Sequence, residues 1–327
     1  MSILCSGSFV ADILVPDLPK IGPPGSLTYA PNGIHLSPGG HSANVAINLA
    51  QLEADNIYAV GSIGRDEMGK FLVEQIKNRG VCPLPEIQEN STTAKNVALL
   101  VKGEDRRYIS ELSANSLLTS EHLIASIRRV KPQLFYQGTL GGLPHIEKNL
   151  HDVLYDNKDV LNFIDVIMPS NGWGYLDSAT PLIHILHANQ MEAYNLTEEN
   201  DPHKAIGKLN RVGIQLVIIS DAQKGVVAGT KLYHIEMPAY QVTQRDPTGA
   251  GDALSAGILG LIQRNNYSLD DILDPEVIIE LLLYGQAAGA ACVTGLGATT
   301  NVNMKNVKSI LKQQRDKVQS QTRMKRQ

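Results

Sequence analysis

The sequence predicts one large α/β domain in which helices cover both faces of a mostly parallel β-sheet. Between residues 120 and 220, short apolar runs alternate with amphipathic segments, a pattern typical of strands connected by helices. Residues 13–38 depart from this pattern, because prolines and glycines there separate short runs of Val, Leu, Ile and Tyr. We therefore expect a second, small β-sheet in addition to the main one.

The composition excludes several classes of partner. A chain of 327 residues buries enough surface to fold without disulfides or metals, and its net charge of −4 provides no general attraction to nucleic acids or anionic membranes. We find no uninterrupted apolar stretch long enough to span a bilayer. The three cysteines, Cys5, Cys82 and Cys292, are far apart, which favours a reducing, cytoplasmic compartment.

The segment from Asp246 to Asp252 (Asp-Pro-Thr-Gly-Ala-Gly-Asp) is the most informative motif. The apolar residues that follow it have helical spacing, so a helix is predicted to begin at the Gly-Ala-Gly turn. Free N–H groups and the positive end of the helix dipole at such a start suit a phosphate. A carboxylate at Asp252 makes sense there if it takes a proton from an attacking hydroxyl. The alternative is a helix cap that contributes about 0.3–1 kcal/mol.

A second candidate site combines residues from the N-terminal part of the chain. A Gly39-Gly40 turn precedes a helix of small and apolar residues, and Asn44 lies about one turn into that helix. Its amide can both donate and accept hydrogen bonds, as a contact to a substrate hydroxyl requires. Asp12 follows the first predicted strand, at the end where open α/β sheets place ligands. The alternative for Asn44 is a helix that only packs tightly on the sheet.

Two further patterns imitate functional motifs. Residues 64–70 fit the first seven positions of a phosphate-binding P-loop, but Phe71 stands where Ser or Thr would bind Mg²⁺. We interpret this stretch as a turn and helix cap. His184 and His187 have metal-ligand spacing without a third ligand, so we place them on the surface of a helix predicted over 179–188.

The Asp246–Asp252 motif and the Gly39-Gly40…Asn44 pattern resemble the two signatures of the ribokinase-like (PfkB) carbohydrate kinase family. The resemblance covers nearly the whole chain and implies a three-layer α/β/α core with a small β-sheet lid. It assigns residues 1–12, 39–92 and 113–312 to the core and residues 13–38 and 93–112 to the lid. Residues 313–327 are rich in Gln, Lys and Arg, and we predict a basic tail that is frayed or disordered.

The resemblance implies transfer of the γ-phosphate of ATP to a hydroxyl of a ribose- or fructose-type sugar, with Mg²⁺. Asp252 would be the general base, and the amides of Gly249, Ala250 and Gly251 would hold the developing negative charge. The acceptor would be bound by Asp12, Gly39, Gly40, Asn44 and Asp252. Family members often pair through their lids, so a homodimer is also implied.

The family also has an Asn-x-x-Glu pattern at the end of a strand, which Asn195 and Glu198 match after a strand predicted over 191–195. Glu198 would act on Mg²⁺ through water. The alternative is that Thr197 and Glu198 only form the start of a helix. The nucleotide would be bound by Asn195, Ser220, Gly225, Thr248, Gly249 and Gly251. A monovalent cation such as K⁺ would lie at Asp246, Cys292, Gly295 and Gly297.

Ala222 departs from the family pattern, which has a glycine at this position of the nucleotide loop. If that glycine supplies a positive φ, alanine there costs about 1 kcal/mol or shifts the loop, so the identity of the donor nucleotide stays open. Two alternatives to a sugar kinase also stay open. One is a nucleoside or inositol kinase of the same family, and the other is a related fold with a regulatory role.

Overall fold

The computed structural model describes residues 1–104, 106–138, 141–167, 174–176 and 178–326. These residues form a ten-stranded and a four-stranded sheet. The strands are β1 (Ile3–Ser6), β2 (Val10–Leu18), β3 (His35–Gly39), β4 (Ile57–Gly64), β5 (Cys82–Gln88), β6 (Lys95–Val101), β7 (Arg107–Ser110), β8 (Leu134–Gln137), β9 (Leu161–Asp165), β10 (Ile185–Asn189), β11 (Leu216–Ser220), β12 (Val226–Gly229), β13 (Tyr233–Met237) and β14 (Arg323–Arg326). The helices are α1 (His41–Gln51), α2 (Glu67–Asn78), α3 (Ser120–Val130), α4 (Pro144–Lys148), α5 (Leu150–Tyr155), α6 (Gln190–Thr197), α7 (Pro202–Arg211), α8 (Ala250–Asn265), α9 (Pro275–Val293) and α10 (Met304–Gln321).

The large sheet has the strand order β14-β13-β12-β11-β10-β9-β8-β1-β4-β5. The seven strands from β11 to β5 are parallel, and β12, β13 and β14 extend the sheet in antiparallel fashion. The central strands are buried along their whole length, as expected where helices cover both faces of a parallel sheet. The predicted fold class is therefore confirmed, including the second sheet.

The small sheet has the order β3-β2-β6-β7 and its own apolar cluster of Val15, Leu18 and Val101. Only three residues separate the end of β1 from the start of β2, so the chain passes directly from the large sheet into the small one. Asp12 lies inside β2, in register with Ser37 and Asn96, and not in a loop after the first strand. The small sheet thus carries one candidate acceptor residue itself.

Helices α8 and α9 form the centre of the larger core cluster and approach each other closely. A Cβ on Gly257 would lie only 2.9 Å from the Cα of Gly285, so both glycines are required by this contact. Helix α9 is long and apolar enough to cross a membrane by length and composition alone, with a mean hydropathy of 1.4. In the fold, however, 67% of this apolar stretch is buried inside the protein. The helix packs between α8 and α10 as part of the core.

Two secondary-structure predictions between residues 179 and 195 are wrong. The segment predicted as a helix contains strand β10, and the segment predicted as a strand lies in helix α6. Asn189 and Glu192 form a reciprocal capping box that starts the helix. The apolar run before Asn189 is too short for periodicity to separate strand from helix. His187 is accordingly buried in β10 and His184 is buried just before this strand, so neither lies on a helix surface.

The prediction of a frayed or disordered tail from residue 313 is also corrected. Helix α10 continues to Gln321, and β14 pairs in antiparallel fashion with β13. This strand is held by main-chain hydrogen bonds at a sheet edge, and its four residues are exposed. Such pairing needs no apolar side chains, so hydropathy did not reveal it. By contrast, the predicted cap after β4 is confirmed, because Asp66 caps α2 through the amide of Gly69.

Candidate active site

Asp252 is held in the first turn of α8 by contacts to helix α1. Its side chain is only 5% exposed, and its Oδ2 accepts a hydrogen bond of 2.8 Å from Nδ2 of Asn44. Nδ1 of His41 lies 3.0 Å from its other oxygen, Oδ1. The structure therefore brings two predicted site residues into direct contact. It adds His41, which the sequence analysis did not single out.

The turn before Asp252 leaves several main-chain donors unused. Gly249 has a φ of 76°, and a Cβ there would lie 2.3 Å from Cβ of Ala298, so only glycine fits. Within the described residues, the N–H groups of Gly249, Gly251 and Asp252 find no protein acceptor. The N–H of Ala250 reaches the carbonyl of Pro247 at 3.4 Å. A helix N-terminus with free amides is a ready anion site.

Asp12 lies beside this turn, in the small sheet. Its side chain is buried, and Oδ1 accepts a 3.0 Å hydrogen bond from Asn96. A Cβ on Gly39 would lie 2.0 Å from Oδ2, so the glycine makes room for the carboxylate. Burial raises the pKa of Asp12 to about 7, and the hydrogen bond from Asn96 opposes this, while the charges of Asp252 and Asp246 add to the rise.

Asp246 organises the loop on the other side of the turn. The residue is fully buried, and its two oxygens accept hydrogen bonds from the amides of Thr248 and Gly297, at 2.9 and 2.8 Å. The thiol of Cys292 donates to the carbonyls of Thr248 and Ala298. These residues, predicted to surround a cation, therefore lie together. Gly295 packs against Asn301, where an added Cβ would lie 3.0 Å from Cγ.

The small sheet directly contacts the turn that precedes Asp252. The hydroxyl of Tyr108, on β7, lies 2.7 Å from the hydroxyl of Thr248. Burial raises the pKa of Tyr108, so the phenol stays protonated and available as a hydrogen-bond donor. The small sheet thus reaches the turn through the side chain of Tyr108.

The Asn-x-x-Glu pattern occurs twice, and the structure places the earlier copy at a strand end. Strand β10 ends at Asn189, and Glu192 follows three residues later. Asn195 lies inside α6, and Glu198 is an exposed residue at the end of that helix. Burial raises the pKa of Glu192, with a smaller contribution from the charge of a neighbouring aspartate. The duplicated spacing was the signal that sequence reasoning missed.

The buried His187 connects the end of β11 to Asp165 and, through it, to α8. Nδ1 of His187 lies 3.1 Å from Oδ1 of Asp165, and its Nε2 lies 3.0 Å from the hydroxyl of Ser220. Asp165 also accepts hydrogen bonds from Ser255, on α8, and from Tyr136. Burial acts to lower the pKa of His187, but the charge of Asp165 raises it above the usual value.

A cleft of about 750 Å³ opens beside the loop after β11. Its lining residues include Asp221, Gly225, Pro238 and Arg323, so the C-terminal strand contributes one wall. Ala222 has a φ of 44°, the left-handed conformation that glycine adopts without strain. A Cβ on Gly225 would lie 2.1 Å from the carbonyl oxygen of Met237, so this second glycine is sterically required.

Comparisons with known proteins agree with this arrangement. Rice (Oryza sativa subsp. japonica) Fructokinase-2 is 28% identical over 286 residues, which cover 81% of this chain and 82% of the rice protein. A fructokinase with bound ATP from Xylella fastidiosa superposes with a TM-score of 0.81 at 24% identity, covering 96% of this chain and 99% of that one. A putative ribokinase II from E. coli, in complex with ATP and Mg²⁺, has a TM-score of 0.78 at 17% identity, with coverages of 95% and 99%.

These solved structures share the fold of the chain. Membership follows from the family model described as pfkB family carbohydrate kinase, which matches residues 2–305. The resemblance of the sequence motifs to this family is thereby confirmed. The chain belongs to the pfkB family of carbohydrate kinases.

Proposed function

We propose that this sugar kinase transfers the γ-phosphate of ATP to a hydroxyl of a ribose- or fructose-type sugar, with Asp252 as the general base. One observation carries the proposal. A buried carboxylate stands at the start of α8, next to main-chain amides that have no acceptor within the described residues. A carboxylate repels a phosphate unless a proton has to leave a hydroxyl at that place. Fructose is the first acceptor to test, because the rice relative is named a fructokinase.

The chemistry follows from these groups. Asp252 takes the proton of the acceptor hydroxyl while the hydroxyl oxygen forms a bond to the γ-phosphorus. The bond from this phosphorus to the bridging oxygen breaks, and ADP leaves. The free N–H groups of Gly249, Gly251 and Asp252 point to where charge develops on the phosphoryl oxygens, which lowers the barrier. Asp12, Gly39, Gly40 and Asn44 hold the acceptor next to the base.

The donor site is assigned to the cleft beside β11. Gly225 lines it, Ser220 lies between the lining residues Ile219 and Asp221, and we assign Thr248, Gly249 and Gly251 to the phosphates at the turn. The ATP complexes of the Xylella and E. coli proteins support ATP as the donor. In place of Asn195 and Glu198, we assign Asn189 and Glu192 to the ordering of hydrated Mg²⁺, which neutralises the phosphate charge when bound. Support comes from the half-buried carboxylate of Glu192, in the first turn after the end of a parallel strand.

We also assign a monovalent cation, such as K⁺, to the loop around Asp246. A fully buried carboxylate is costly without a compensating charge, and the partners of Asp246 among the described residues are two amides. The nearby carbonyls of Thr248 and Ala298 are suitable ligands. We expect the rate to fall when a large organic cation replaces potassium, and an unchanged rate would remove this assignment.

The exposed apolar surface of the lid supports a homodimer. Four large side chains in or next to the small sheet are at least 66% exposed: Leu27, Tyr29, Ile34 and Ile109. We expect light scattering to give a dimer mass, and Ile109→Glu to shift it to that of a monomer. A monomeric unmodified protein would contradict this assignment. We place the enzyme in the cytoplasm, supported by three cysteines that form no disulfide.

The decisive experiment is a phosphoryl-transfer screen. Pentoses, hexoses, nucleosides and inositols would be tested with ATP and with GTP, and ADP release and the phosphorylated product would both be measured. We expect a hexose or pentose, with ATP, to give the highest kcat/KM. A nucleoside or inositol as the best acceptor would overturn the sugar assignment, and GTP as the better donor would overturn the assignment of ATP.

A further inference from the structure

His41 contacts the catalytic carboxylate from the first position of helix α1. Its Nδ1 lies 3.0 Å from Oδ1 of Asp252, and its side chain is 27% exposed, compared with 5% for Asp252. In the described part of the chain neither atom has a partner with hydrogen-bond geometry. The contact is therefore an ion pair between two atoms that the surrounding protein encloses. Asn44 occupies the other oxygen, Oδ2.

In the described part of the chain, the charges that act most strongly on His41 are those of three acidic residues. Asp252 faces it from α8, Asp165 from the end of β9 and Glu192 from α6. Burial acts to lower the pKa of His41, but the negative charge of Asp252, with smaller contributions from Asp165 and Glu192, raises it to about 9. The ring is therefore an imidazolium at neutral pH and supplies positive charge next to the base.

Such a charge is needed because acidic groups crowd this part of the cleft. Asp12 and Asp246 lie close enough for their charges and that of Asp252 to interact, and all three side chains are buried. In a low-dielectric site, each carboxylate makes ionisation of the others more costly. The triphosphate of the donor adds further negative charge. A base that must be ionised before the reaction therefore needs a cation beside it.

We propose that His41 is a positioning residue whose imidazolium keeps the carboxylate of Asp252 ionised and in place. This inference rests on the proposed role of Asp252. It gives His41 a role, although the proposed function assigns none to this residue.

The test compares the pH dependence of kcat in the full-length protein with that of His41→Gln and His41→Lys, with ATP and the best acceptor at saturation. In the unmodified enzyme we expect activity to fall above about pH 9, as the imidazolium loses its proton. His41→Gln should lose this alkaline limb, shift the acidic limb to higher pH and lower kcat at pH 7 by about tenfold. His41→Lys should restore most of kcat and move the alkaline limb to higher pH. The KM for the acceptor should change less than kcat.

A matched control is His151→Gln, because His151 also lies 3.1 Å from an aspartate oxygen, that of Asp152, but is exposed and belongs to helix α5. Its pH profile should match that of the unmodified enzyme. Thermal melting and ATP binding would verify that the His41 variants fold. A folded His41→Gln protein with an unchanged profile would overturn the inference. So would a His41→Lys protein as impaired as His41→Gln.

The two proposals fail in different ways. If Asp252→Asn keeps full activity, the base assignment fails and this inference fails with it. If Asp252→Asn is inactive and His41→Gln is indistinguishable from the unmodified enzyme, only the inference about His41 fails.

Discussion

The proposed acceptor half of the site, around Asp252, and the proposed donor half, beside β11, are built differently. Around Asp252, each carboxylate oxygen has a specific neighbour at 2.8 or 3.0 Å, and an added Cβ on Gly39 would collide with Asp12. The donor half has an open cleft of about 750 Å³ and a loop with Ala222 in a left-handed conformation. Proton transfer demands fixed geometry, whereas a nucleotide is bound over a large surface that tolerates local strain. We therefore expect substitutions to affect the acceptor half more severely.

The largest effect is expected for Asp252→Asn. The amide keeps the shape and the neighbours of the carboxylate but cannot accept the proton, so kcat should fall by about 10²–10⁴-fold. Binding of ATP, measured by calorimetry, should change little, because the amides of the turn are retained. Near-normal kcat, or loss of ATP binding in a folded variant, would contradict the expected difference between the two halves.

A second effect, on the donor side, distinguishes the two Asn-x-x-Glu copies. Glu192→Gln retains the capping box, since Gln also fits that motif, but removes the charge. We expect kcat/KM for ATP to fall by about 10–100-fold, with a higher Mg²⁺ requirement, as for other groups that order metal-bound water. Glu198→Gln is the matched control and should stay within about twofold, because Glu198 is exposed at a helix end. The reverse ranking would restore the original assignment to Glu198.

The residues that the sequence predicted well are those that form local motifs. The seven residues Asp246–Asp252 specify both a turn and a helix start, so their arrangement could be predicted from one stretch. His41 could not be recognised as a neighbour of Asp252, because the two meet only when α1 packs against α8. Strand β10 was misplaced because its apolar run is short. The edge strand β14 depends on main-chain pairing, which leaves no side-chain pattern.

The third effect is a pH dependence of acceptor binding that arises from Asp12. Its pKa in the folded protein is about 7, above the usual 3.8, so the carboxylate becomes protonated as the pH falls through 7. The neutral form accepts sugar hydroxyls less well, and we expect the KM for the acceptor to rise by about tenfold between pH 8 and pH 6. Asp12→Asn should show a high, pH-independent KM. A KM of the unmodified enzyme that is flat over this range would contradict the assignment.

The same shift has a consequence for stability, with a defined sign. A carboxyl group whose pKa is raised by folding stabilises the protein most below its unfolded pKa, and this contribution is lost as the pH rises through the folded pKa. Asp12 therefore destabilises the fold more at pH 8 than at pH 4. Relative to the unmodified enzyme, Asp12→Asn should gain unfolding free energy from pH 4 to pH 8 in denaturant titrations. If the difference in unfolding free energy between the two proteins does not change with pH, Asp12 is not the source of a pH dependence of stability.

The smallest effect concerns Ala222, and its sign is informative. An alanine in the left-handed region costs about 1–2 kcal/mol, and glycine would remove that strain while adding about 0.4–1 kcal/mol of unfolded-state entropy. Ala222→Gly should therefore increase the unfolding free energy by about 0.5 kcal/mol and lower the KM for ATP by about twofold. The control is Ala290→Gly, within helix α9, which should destabilise by about 1 kcal/mol. If both substitutions destabilise the protein equally, the backbone at Ala222 is not strained. The proposed donor half would then be built as precisely as the proposed acceptor half.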